Sequence, residues 1–502
     1  MNQIMYNVIS HNTIFTLLFT LCFLIPNRIG AQNVWKDSLV IKGVCAADTE
    51  QDCSGVIAKI LREKTVRPIV LEVDGRFKDE YLFSRPVRIT SGVKLFGVNG
   101  AKIIQESKNL LIVQGEAEVR SIWFGGFEIN QGSNVKAESV LRVRRGSIIR
   151  DIQIEDLEIN NTRAEVEGNI PFNFNSNVGG DISISGVSVD GVYVFARFDK
   201  SRFTGITIRD NHVMRIARRG VSLTCECENV TIVRNRFIEN VSGIRPSNFI
   251  YTNSTLGHKS QGLTRPVKNL SVIDNEIRGL KNMAFSKDSK NGASADLITI
   301  RNVDGFIVKD NSLFNGGEAG ITIADGARDG KVTGNTISQI DTVAIVIGAA
   351  GKAKGGKQPV ERITIDSNRI NGFALFRDVA SKEGSMSDWG VSIHARSAIR
   401  VVNSRDICIV NNSIKSGSQH SSYFGIWVLD RARPDYFRNI NIAAGNNSFT
   451  GFNTNEALEI AMSKKMNGKP SSLSGSVVPE QIYTKSDQLV SENGATNFVC
   501  SL

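Results

Sequence analysis

The chain has 502 residues, of which 41% are hydrophobic and 22% are charged. This composition excludes a disordered or collagen-like chain, and the length is sufficient for a large buried core. The 45 glycines favour many turns and little helix, and the net charge of +10 favours polyanions as partners. Acidic polysaccharide, nucleic acid and anionic lipid therefore all stay open at this point.

The N-terminus has the pattern of an export signal. An apolar run extends from Thr13 to Ile25, and small residues follow it up to Ala31. The run is too short to span a bilayer comfortably, and no second apolar stretch of spanning length follows. We therefore predict a signal peptide over residues 1–31 and a secreted or periplasmic protein with no membrane span after its removal.

Six cysteines lie beyond the predicted signal: Cys45, Cys53, Cys225, Cys227, Cys408 and Cys500. Export would permit disulfides. Cys45 and Cys53 enclose a short loop and are the best candidates for a bridge. Cys225 and Cys227 would point to the same face of a strand, and their spacing is not that of a zinc site.

A repeat aligned on asparagine organises the middle of the chain. Eight segments such as ITIRDN, LSVIDN and ICIVNN end at Asn211, Asn235, Asn275, Asn311, Asn335, Asn368, Asn412 and Asn447. Less regular copies begin at Ile122, Ile152 and Ile182, which makes about eleven units. Intervals between the asparagines range from 24 to 44 residues, so each unit tolerates insertions.

The repeat predicts a parallel β-helix. Each unit has short stretches with period-2 alternation and no helical stripe, which excludes a helical solenoid. The 24-residue intervals are too short for propeller blades of about 40 residues. Stacked units would bury the alternating apolar residues along one axis. An asparagine at a sharp corner tolerates the left-handed conformation, and its amide can bond to the equivalent amide one coil away.

The start of the repeat region carries a further pattern. The acidic segment Asp48-Thr49-Glu50-Gln51-Asp52 precedes a predicted helix from Val56 to Lys64, and the strand PIVLEVDG follows. This opening and the repeat resemble the pectate-lyase-like right-handed β-helix superfamily, which includes pectate lyases, polygalacturonases, uronan epimerases and phage tailspikes. The resemblance covers roughly residues 40–450 and implies a right-handed parallel β-helix with an N-terminal capping helix.

The resulting division is a signal at 1–31, a cap with first strands at 32–95, the β-helix at 96–451 and a C-terminal cap or tail at 452–502. The motifs of single activities are missing: the chain has no Asp-Asp pair, no Gly-His-Gly, no Arg-x-Pro-x-x-Arg and no Asp-Pro-His. The resemblance therefore implies action on polysaccharide only by analogy of fold.

Insertions suggest where a site would lie. Long segments flank the strand that follows each asparagine corner, so they would form the walls of a groove along the axis. We assign these strands to the segments GVSL, SGIRP, DLITI, AGITI, VAIVI, WGVSI and FGIWV, beginning at Gly220, Ser242, Asp296, Ala319, Val343, Trp389 and Phe424.

Acidic residues accompany this column of strands. One set precedes the strands and comprises Asp296, Glu318, Asp341 and Asp388; a second follows them and comprises Asp325, His394 and Asp430. Coils rise by about 4.8 Å, so carboxylates on neighbouring coils would have the spacing of a retaining hydrolase, and those two coils apart that of an inverting one. Our catalytic candidates are Asp325, Glu318, Asp388, Asp430 and His394; turn capping is the alternative for each acid.

Aromatic and basic residues in the same column are candidates for substrate binding. Trp389 and Trp427 fall on successive predicted strands and would offer flat faces to sugar rings, unless they pack against the insertions. Arg431 and Arg433 have the chemistry to pair with uronate carboxylates, and an ion-pair network with Asp430 and Asp435 is the competing interpretation.

These observations favour an exported enzyme that cleaves a polysaccharide, with an acidic one preferred. As a glycoside hydrolase it would need no cofactor. As a lyase or epimerase it would use arginine or calcium to neutralise the substrate carboxylate, and His394, a lysine or an arginine would remove the C5 proton. A non-catalytic carbohydrate-binding or surface protein is the rival class. Nucleic acid is not an expected partner, and the oligomeric state stays open.

Overall fold

The computed structural model describes residues 39–42, 52–63, 69–75, 80–115, 117–132, 137–160, 168–175, 177–238, 248–252, 266–279, 296–316, 319–348, 358–373, 397–416, 424–430, 440–451, 458–464 and 481–482. One helix, α1 (Cys53–Glu63), and 37 strands make up the regular structure of these residues. The strands form three parallel sheets, here called A, B and C, which the chain visits in that order on every coil.

Sheet A contains β1 (Leu39–Lys42), β2 (Ile69–Asp74), β5 (Val93–Val98), β8 (Glu118–Gly125), β11 (Ile148–Glu155), β14 (Val178–Ser185), β19 (Val267–Ile273), β22 (Val303–Lys309), β25 (Arg328–Thr333), β28 (Val360–Asp366), β31 (Ser404–Val410) and β34 (Ile440–Gly445). Sheet B contains β3 (Tyr81–Phe83), β6 (Lys102–Gln105), β9 (Glu128–Gln131), β12 (Glu158–Asn160), β17 (Arg236–Ile238), β20 (Glu276–Arg278), β23 (Ser312–Phe314), β26 (Thr336–Ser338), β29 (Arg369–Asn371), β32 (Ser413–Lys415) and β35 (Ser448–Thr450).

Sheet C contains β4 (Val87–Ile89), β7 (Asn109–Val113), β10 (Ser139–Val143), β13 (Phe172–Asn175), β18 (Ile250–Thr252), β21 (Ile298–Arg301), β24 (Ala319–Ala324), β27 (Val343–Ile347), β30 (Ser397–Val402), β33 (Phe424–Asp430) and β36 (Leu458–Lys464). Two long strands, β15 (Ser188–Arg209) and β16 (His212–Val233), run through all three sheets. A short strand, β37 (Gln481–Ile482), pairs antiparallel with β36.

The chain is a right-handed parallel β-helix, as the sequence predicted. Equivalent residues stack in register, for example Ile152 on Ile182 and Ile182 on Ile206, and these side chains join one continuous buried core. The described strands form thirteen coils, whereas the sequence suggested about eleven. The two coils missed are those of β2 and β5, which come before the regular asparagine repeat.

The predicted asparagine ladder is confirmed. From Asn211 to Asn412 each asparagine of the ladder donates its backbone N–H and its side-chain Nδ2 to the Oδ1 of the asparagine on the next coil, and Asn447 is the last acceptor. Asn335, for example, donates to Asn368 at 3.0 and 2.9 Å. Buried amides at this corner are thus satisfied by one another, which meets the requirement for burying polar groups.

The conformation of the corner differs from the prediction in one respect. The left-handed residue is the one before the ladder asparagine, as in Asp210, Arg234 and Asp274, with φ values of 58°, 52° and 55°. The asparagine itself is therefore kept at this position by its hydrogen bonds, and the preceding residue makes the sharp bend.

The predicted capping helix is present as α1. Asp52 accepts a hydrogen bond from the backbone N–H of Ser54 at 3.1 Å and so caps the first turn. Ile57 and Leu61 are buried, and Val56 and Ile60 pack against the same core, so this face of the helix covers the end of the coil.

The cysteine pairs are partly described. Cys225 and Cys227 form a disulfide with each other inside β16. Cys53 also takes part in a disulfide, and so, separately, does Cys408. Cys45 lies outside the described residues, so its pairing with Cys53 stays a prediction.

Candidate functional site on the outer face of sheet C

The connections between sheets are unequal. From β16 onward, two residues join each sheet A strand to the next sheet B strand, as between Ile273 and Glu276. The long connections all lead into or out of sheet C, for example residues 280–295 between β20 and β21 and residues 253–265 between β18 and β19. In chain order the insertions therefore come before and after the strands of sheet C, and the groove that they were expected to form stays a prediction.

One column of residues follows the outer face of sheet C from coil to coil. The register places in this column Arg142, Asn173, Arg197, Ser222, Tyr251, Thr299, Thr322, Val346, Arg400 and Trp427. Its members are mostly polar, whereas their neighbours in each strand, such as Ile298 and Ile300, lie in the core. Side chains that are far apart in sequence thus become neighbours on one surface.

A carboxyl group lies next to the middle of this column. Asp296 is 6% exposed, and its Oδ2 accepts a hydrogen bond from the hydroxyl of Thr299 at 2.9 Å. The Thr299 hydroxyl in turn accepts from Nδ2 of Asn248 at 2.7 Å. Burial raises the pKa of Asp296, and hydrogen bonds from Thr299 and Thr322 and the charge of Arg301 oppose that rise.

A second carboxyl belongs to the next coil. Oδ2 of Asp325 lies 3.6 Å from Nη1 of Arg301, and the side chain of Asp325 is 8% exposed. Asp325 occupies the corner after β24 in the left-handed conformation, with φ of 50°. Arg301 therefore acts electrostatically on both carboxyls: it pairs with Asp325, and its charge favours the ionised form of Asp296. Asp296 precedes β21 and Asp325 follows β24, which pairs with β21, so the two acids lie at opposite ends of neighbouring strands, and Arg301 at the end of β21 is the charge common to both. We call Asp296, Arg301 and Asp325 the carboxyl cluster.

An arginine–tyrosine pair lies on the two preceding coils. The guanidinium carbon of Arg219 is 3.8 Å from the centre of the Tyr251 ring, and Nη1 of Arg219 donates to the hydroxyl of Ser222 at 3.0 Å. Burial lowers the pKa of Arg219 to about 10, and the charges of Arg218 and Arg197 add to that effect. This lowered value makes Arg219 a stronger candidate for proton transfer than an exposed arginine.

A third acid lies at the edge of the face. Asp341 precedes β27, and its backbone N–H donates to the carbonyl of Gly316 at 2.9 Å. Burial raises the pKa of Asp341 to about 7. Of the four acids expected at the start of these strands, Asp296 and Asp341 are among the described residues.

The structure brings only part of the predicted site together. Asp325 belongs to the carboxyl cluster, where it lies 3.6 Å from Arg301. Trp427 lies outside the core between Ile426 and Val428, as the alternation predicted, but it is 3% exposed. Trp427 therefore offers no open ring face in this structure, and its role in substrate binding stays a prediction.

Two predicted strands of the column are also wrong. The strand between β27 and β33 is β30, and not the segment WGVSI from Trp389. Likewise β18, and not SGIRP, pairs with β16 and β21. Trp389 and His394 were placed in this column on the basis of the segment WGVSI. Both lie outside the described residues, together with Glu318, Asp388, Arg431, Arg433 and the side chain of Asp430; their roles stay predictions.

Sequence reasoning missed the basic residues of the site. Thr299 and Arg301 alternate with Ile298 and Ile300 in the segment DLITIR, so their outward direction could have been deduced. Tyr251 could not, because the strand β18 is only three residues long and follows a long insertion. The contact between Arg219 and Tyr251 joins residues on different coils.

No group of three or more histidine, cysteine, aspartate or glutamate side chains among the described residues has the arrangement of a metal site. The expectation of calcium in a lyase stays a prediction, and no step below uses a metal. Among the described residues, no helix has both the length and the apolar composition needed to cross a membrane.

The three sheets and their insertions define the class, a right-handed parallel β-helix protein, and the resemblance stated from the sequence is confirmed for the fold. No protein-family model matches the chain, and no curated protein matches it. Among solved structures, the surface adhesin PfbA of Streptococcus pneumoniae is 14% identical with a TM-score of 0.48, over 91% of this chain and 98% of that one.

Two further structures carry enzyme names. The catalytic domain of a GH87 alpha-1,3-glucanase in complex with nigerose is 12% identical with a TM-score of 0.38, over 86% of this chain and 68% of that one. A PL6 alginate lyase in complex with a trisaccharide is 12% identical with a TM-score of 0.41, over 85% of both chains. At these identities the likeness concerns the fold alone and assigns no activity to this chain.

Proposed function

We propose that the protein is a carbohydrate-active enzyme that hydrolyses a polysaccharide lying along the outer face of sheet C. The observation that carries this proposal is the carboxyl cluster, in which two buried carboxyls on neighbouring coils share the influence of one arginine. Glycoside hydrolysis needs one carboxyl that holds a proton and one that is ionised, and different surroundings are the usual way to obtain both.

The two carboxyls have different surroundings. Burial raises the pKa of Asp296, which suits a group that donates a proton to the glycosidic oxygen as the bond to C1 breaks. Asp325 lies 3.6 Å from Arg301 and is the candidate for the second carboxyl. It would either take a proton from the water that attacks C1 or attack C1 itself, and the anomeric configuration of the first product distinguishes these routes.

The experiment replaces each carboxyl by its amide and measures release of reducing ends from neutral and acidic polysaccharides. We expect Asp296→Asn and Asp325→Asn each to lower kcat by about 100-fold or more. Asp304→Asn, which alters an exposed ion pair with Arg328 on sheet A, is the matched control and should leave kcat within about twofold. Unchanged turnover in both site variants would overturn the hydrolase proposal.

A second candidate function, β-elimination from a uronate, is favoured by the Arg219–Tyr251 pair. Arg219 has its pKa lowered to about 10 and would remove the C5 proton. The phenol of Tyr251 would protonate the oxygen that leaves C4, giving an unsaturated uronate. Arg197 and Arg218 are near enough to affect the pKa of Arg219 and would neutralise the substrate carboxylate.

Product absorbance separates these candidates. A lyase produces the absorbance of an unsaturated uronate, and Tyr251→Phe should abolish it while leaving Asp296→Asn active. A hydrolase shortens the polymer without that absorbance. In that case Asp296→Asn should lose activity and Tyr251→Phe should keep it. Binding without shortening of any polymer tested would instead support the non-catalytic class.

A further inference from the structure

A cavity of about 790 Å³ opens on the same face, nearer the N-terminus. Strands β7, β10, β13 and β15 contribute its lining, so it precedes the carboxyl cluster along the coil axis. Five basic side chains line it: Lys108, Arg142, Arg144, Arg145 and Lys200. We call it the basic cavity.

The charge of the basic cavity is not balanced by its own lining. No aspartate or glutamate is among the described residues that line it. Beside it, the carboxylate of Glu138 binds Lys108 at 2.6 Å and Arg142 at 2.8 Å, so one anion serves two cations. Arg144 and Arg145 are exposed. The cavity therefore favours a ligand with several negative charges.

Side-chain amides in the cavity offer uncharged hydrogen-bonding groups to a ligand. Asn109, Gln114, Asn173 and Asn175 also line the cavity. The Oδ1 atoms of Asn109 and Asn173 are buried and accept no hydrogen bond from any described residue. A buried acceptor without a donor is costly, and a ligand with hydroxyl groups would supply the donors.

The cavity is aligned with the carboxyl cluster. Asn173 belongs to the same outward column as Thr299, four coils earlier. At about 4.8 Å per coil this places the two about 19 Å apart along the axis. An extended polymer on the outer face of sheet C would therefore reach both.

We propose that the basic cavity binds an acidic polysaccharide, whose carboxylate or sulfate groups pair with the arginines and whose hydroxyl groups donate to Asn109 and Asn173. The choice of a polysaccharide rests on the proposed function. The lining favours it over single-stranded nucleic acid, since no aromatic side chain is among the described lining residues to stack on bases.

The test measures binding of polygalacturonate, a sulfated glucan, neutral dextran and single-stranded DNA to the full chain at moderate ionic strength. The test variant is the double charge reversal Arg144→Glu/Arg145→Glu. Its matched control is Arg150→Glu/Arg369→Glu, which makes the same change in net charge at exposed positions on sheets A and B. Circular dichroism establishes that both variants keep the strand content of the parent.

We expect the test variant to lose at least about tenfold in affinity for an acidic polysaccharide and the control to stay within about twofold, with negligible binding of dextran. Comparing the uronate with the sulfated polymer identifies the preferred anion. Equal loss in both variants, unchanged affinity in the test variant, or stronger binding of DNA than of either acidic glycan would overturn the proposal.

The outcome is independent of catalysis. Asp304→Asn, which alters an ion pair on sheet A, should keep full affinity for the acidic polymer, because it changes neither the basic cavity nor the carboxyl cluster. Retained binding without any turnover in the parent protein would refute the proposed hydrolysis and support the cavity. If the charge-reversed variant keeps both its turnover and its affinity, the result would support the proposed hydrolysis and refute the proposed role of the basic cavity.

Discussion

The asparagine corner and the outer face of sheet C are both polar, but they treat their polar groups differently. At the corner each amide is bonded to the next, as between Asn311 and Asn335, and the connection never exceeds two residues from β16 onward. On the outer face of sheet C, acids and cations are buried with raised or lowered pKa values, as in Asp296, Asp341 and Arg219.

This difference distinguishes polar groups that stabilise the fold from polar groups that are available to act on a ligand. Polar groups that satisfy one another stabilise the stack and have no capacity left for a ligand. Groups whose burial disfavours their charged form cost stability, and a fold retains such groups most often where they act. The following predictions test that distinction, beginning with the largest effect.

Removing one amide of the ladder should have the largest effect on stability. Asn335 is 0% exposed, donates to Asn368 and to the carbonyl of Val308, and accepts two bonds from Asn311. Asn335→Ala leaves several of these buried groups unpaired, so we expect a loss of about 3–5 kcal/mol in the free energy of unfolding, measured with denaturant. Exposed Thr336→Ala should cost less than about 1 kcal/mol. Similar losses in both would show that the ladder is not special.

Replacing a buried acid on the face should stabilise the protein at alkaline pH. Burial raises the pKa of Asp341 to about 7. Its contribution to stability is fully present below its ordinary pKa and is lost as pH rises through about 7. We therefore expect the free energy of unfolding of Asp341→Asn to be about 2–4 kcal/mol higher than that of the parent at about pH 8. At about pH 4 the two free energies should differ little.

The control for this pH dependence is Asp310→Asn. Asp310 is exposed and lies 3.5 Å from the amino group of Lys309. Its replacement should give a difference in the free energy of unfolding that barely changes between about pH 4 and about pH 8. A flat pH dependence for Asp341→Asn as well would remove the argument that acids on this face are held at a cost.

Deleting the hydroxyl beside Asp296 should change a pKa more than it changes stability. The hydrogen bond from Thr299 lowers the pKa of Asp296. Thr299→Val should raise that pKa further, because it removes a hydrogen bond to the ionised form, and should cost about 1–2 kcal/mol of stability. Carbon NMR titration of the aspartate carboxyls measures the shift without any need for activity. Thr364→Val on sheet A is the control, and an unmoved Asp296 signal in Thr299→Val would contradict the hydrogen-bond assignment.

An exposed ion pair should matter least. Arg362 forms two hydrogen bonds with Asp329 across adjacent coils of sheet A, at 2.6 and 2.7 Å, and both side chains are nearly half exposed. Arg362→Gln should cost about 0.5–1 kcal/mol at low salt and less at high salt. A larger loss that does not respond to salt would mean that cross-coil ion pairs contribute as strongly as the ladder.

The asparagine corner could be predicted from the sequence more completely than the outer face of sheet C. Asn211 through Asn447 could be aligned because one physical requirement, a satisfied buried amide, recurs on each coil. The five coils before Asn211 lack that amide; three of them were recognised from strand alternation alone, and the first two were missed. On sheet C, Asp325 was found because it follows a regular strand, whereas the position of β30 was wrong because a long insertion precedes it and a second apolar segment competes with it.

The amino-acid sequence determined the spiral stack, its capping helix and the face that carries the insertions, because these depend on local alternation and on one repeated side chain. The tertiary structure alone decided that Arg301 lies beside Asp325, that Arg219 stacks on Tyr251 and that five cations share one cavity. Those relations depend on which residues are superposed across coils, and insertions of variable length shift that superposition without leaving any local pattern.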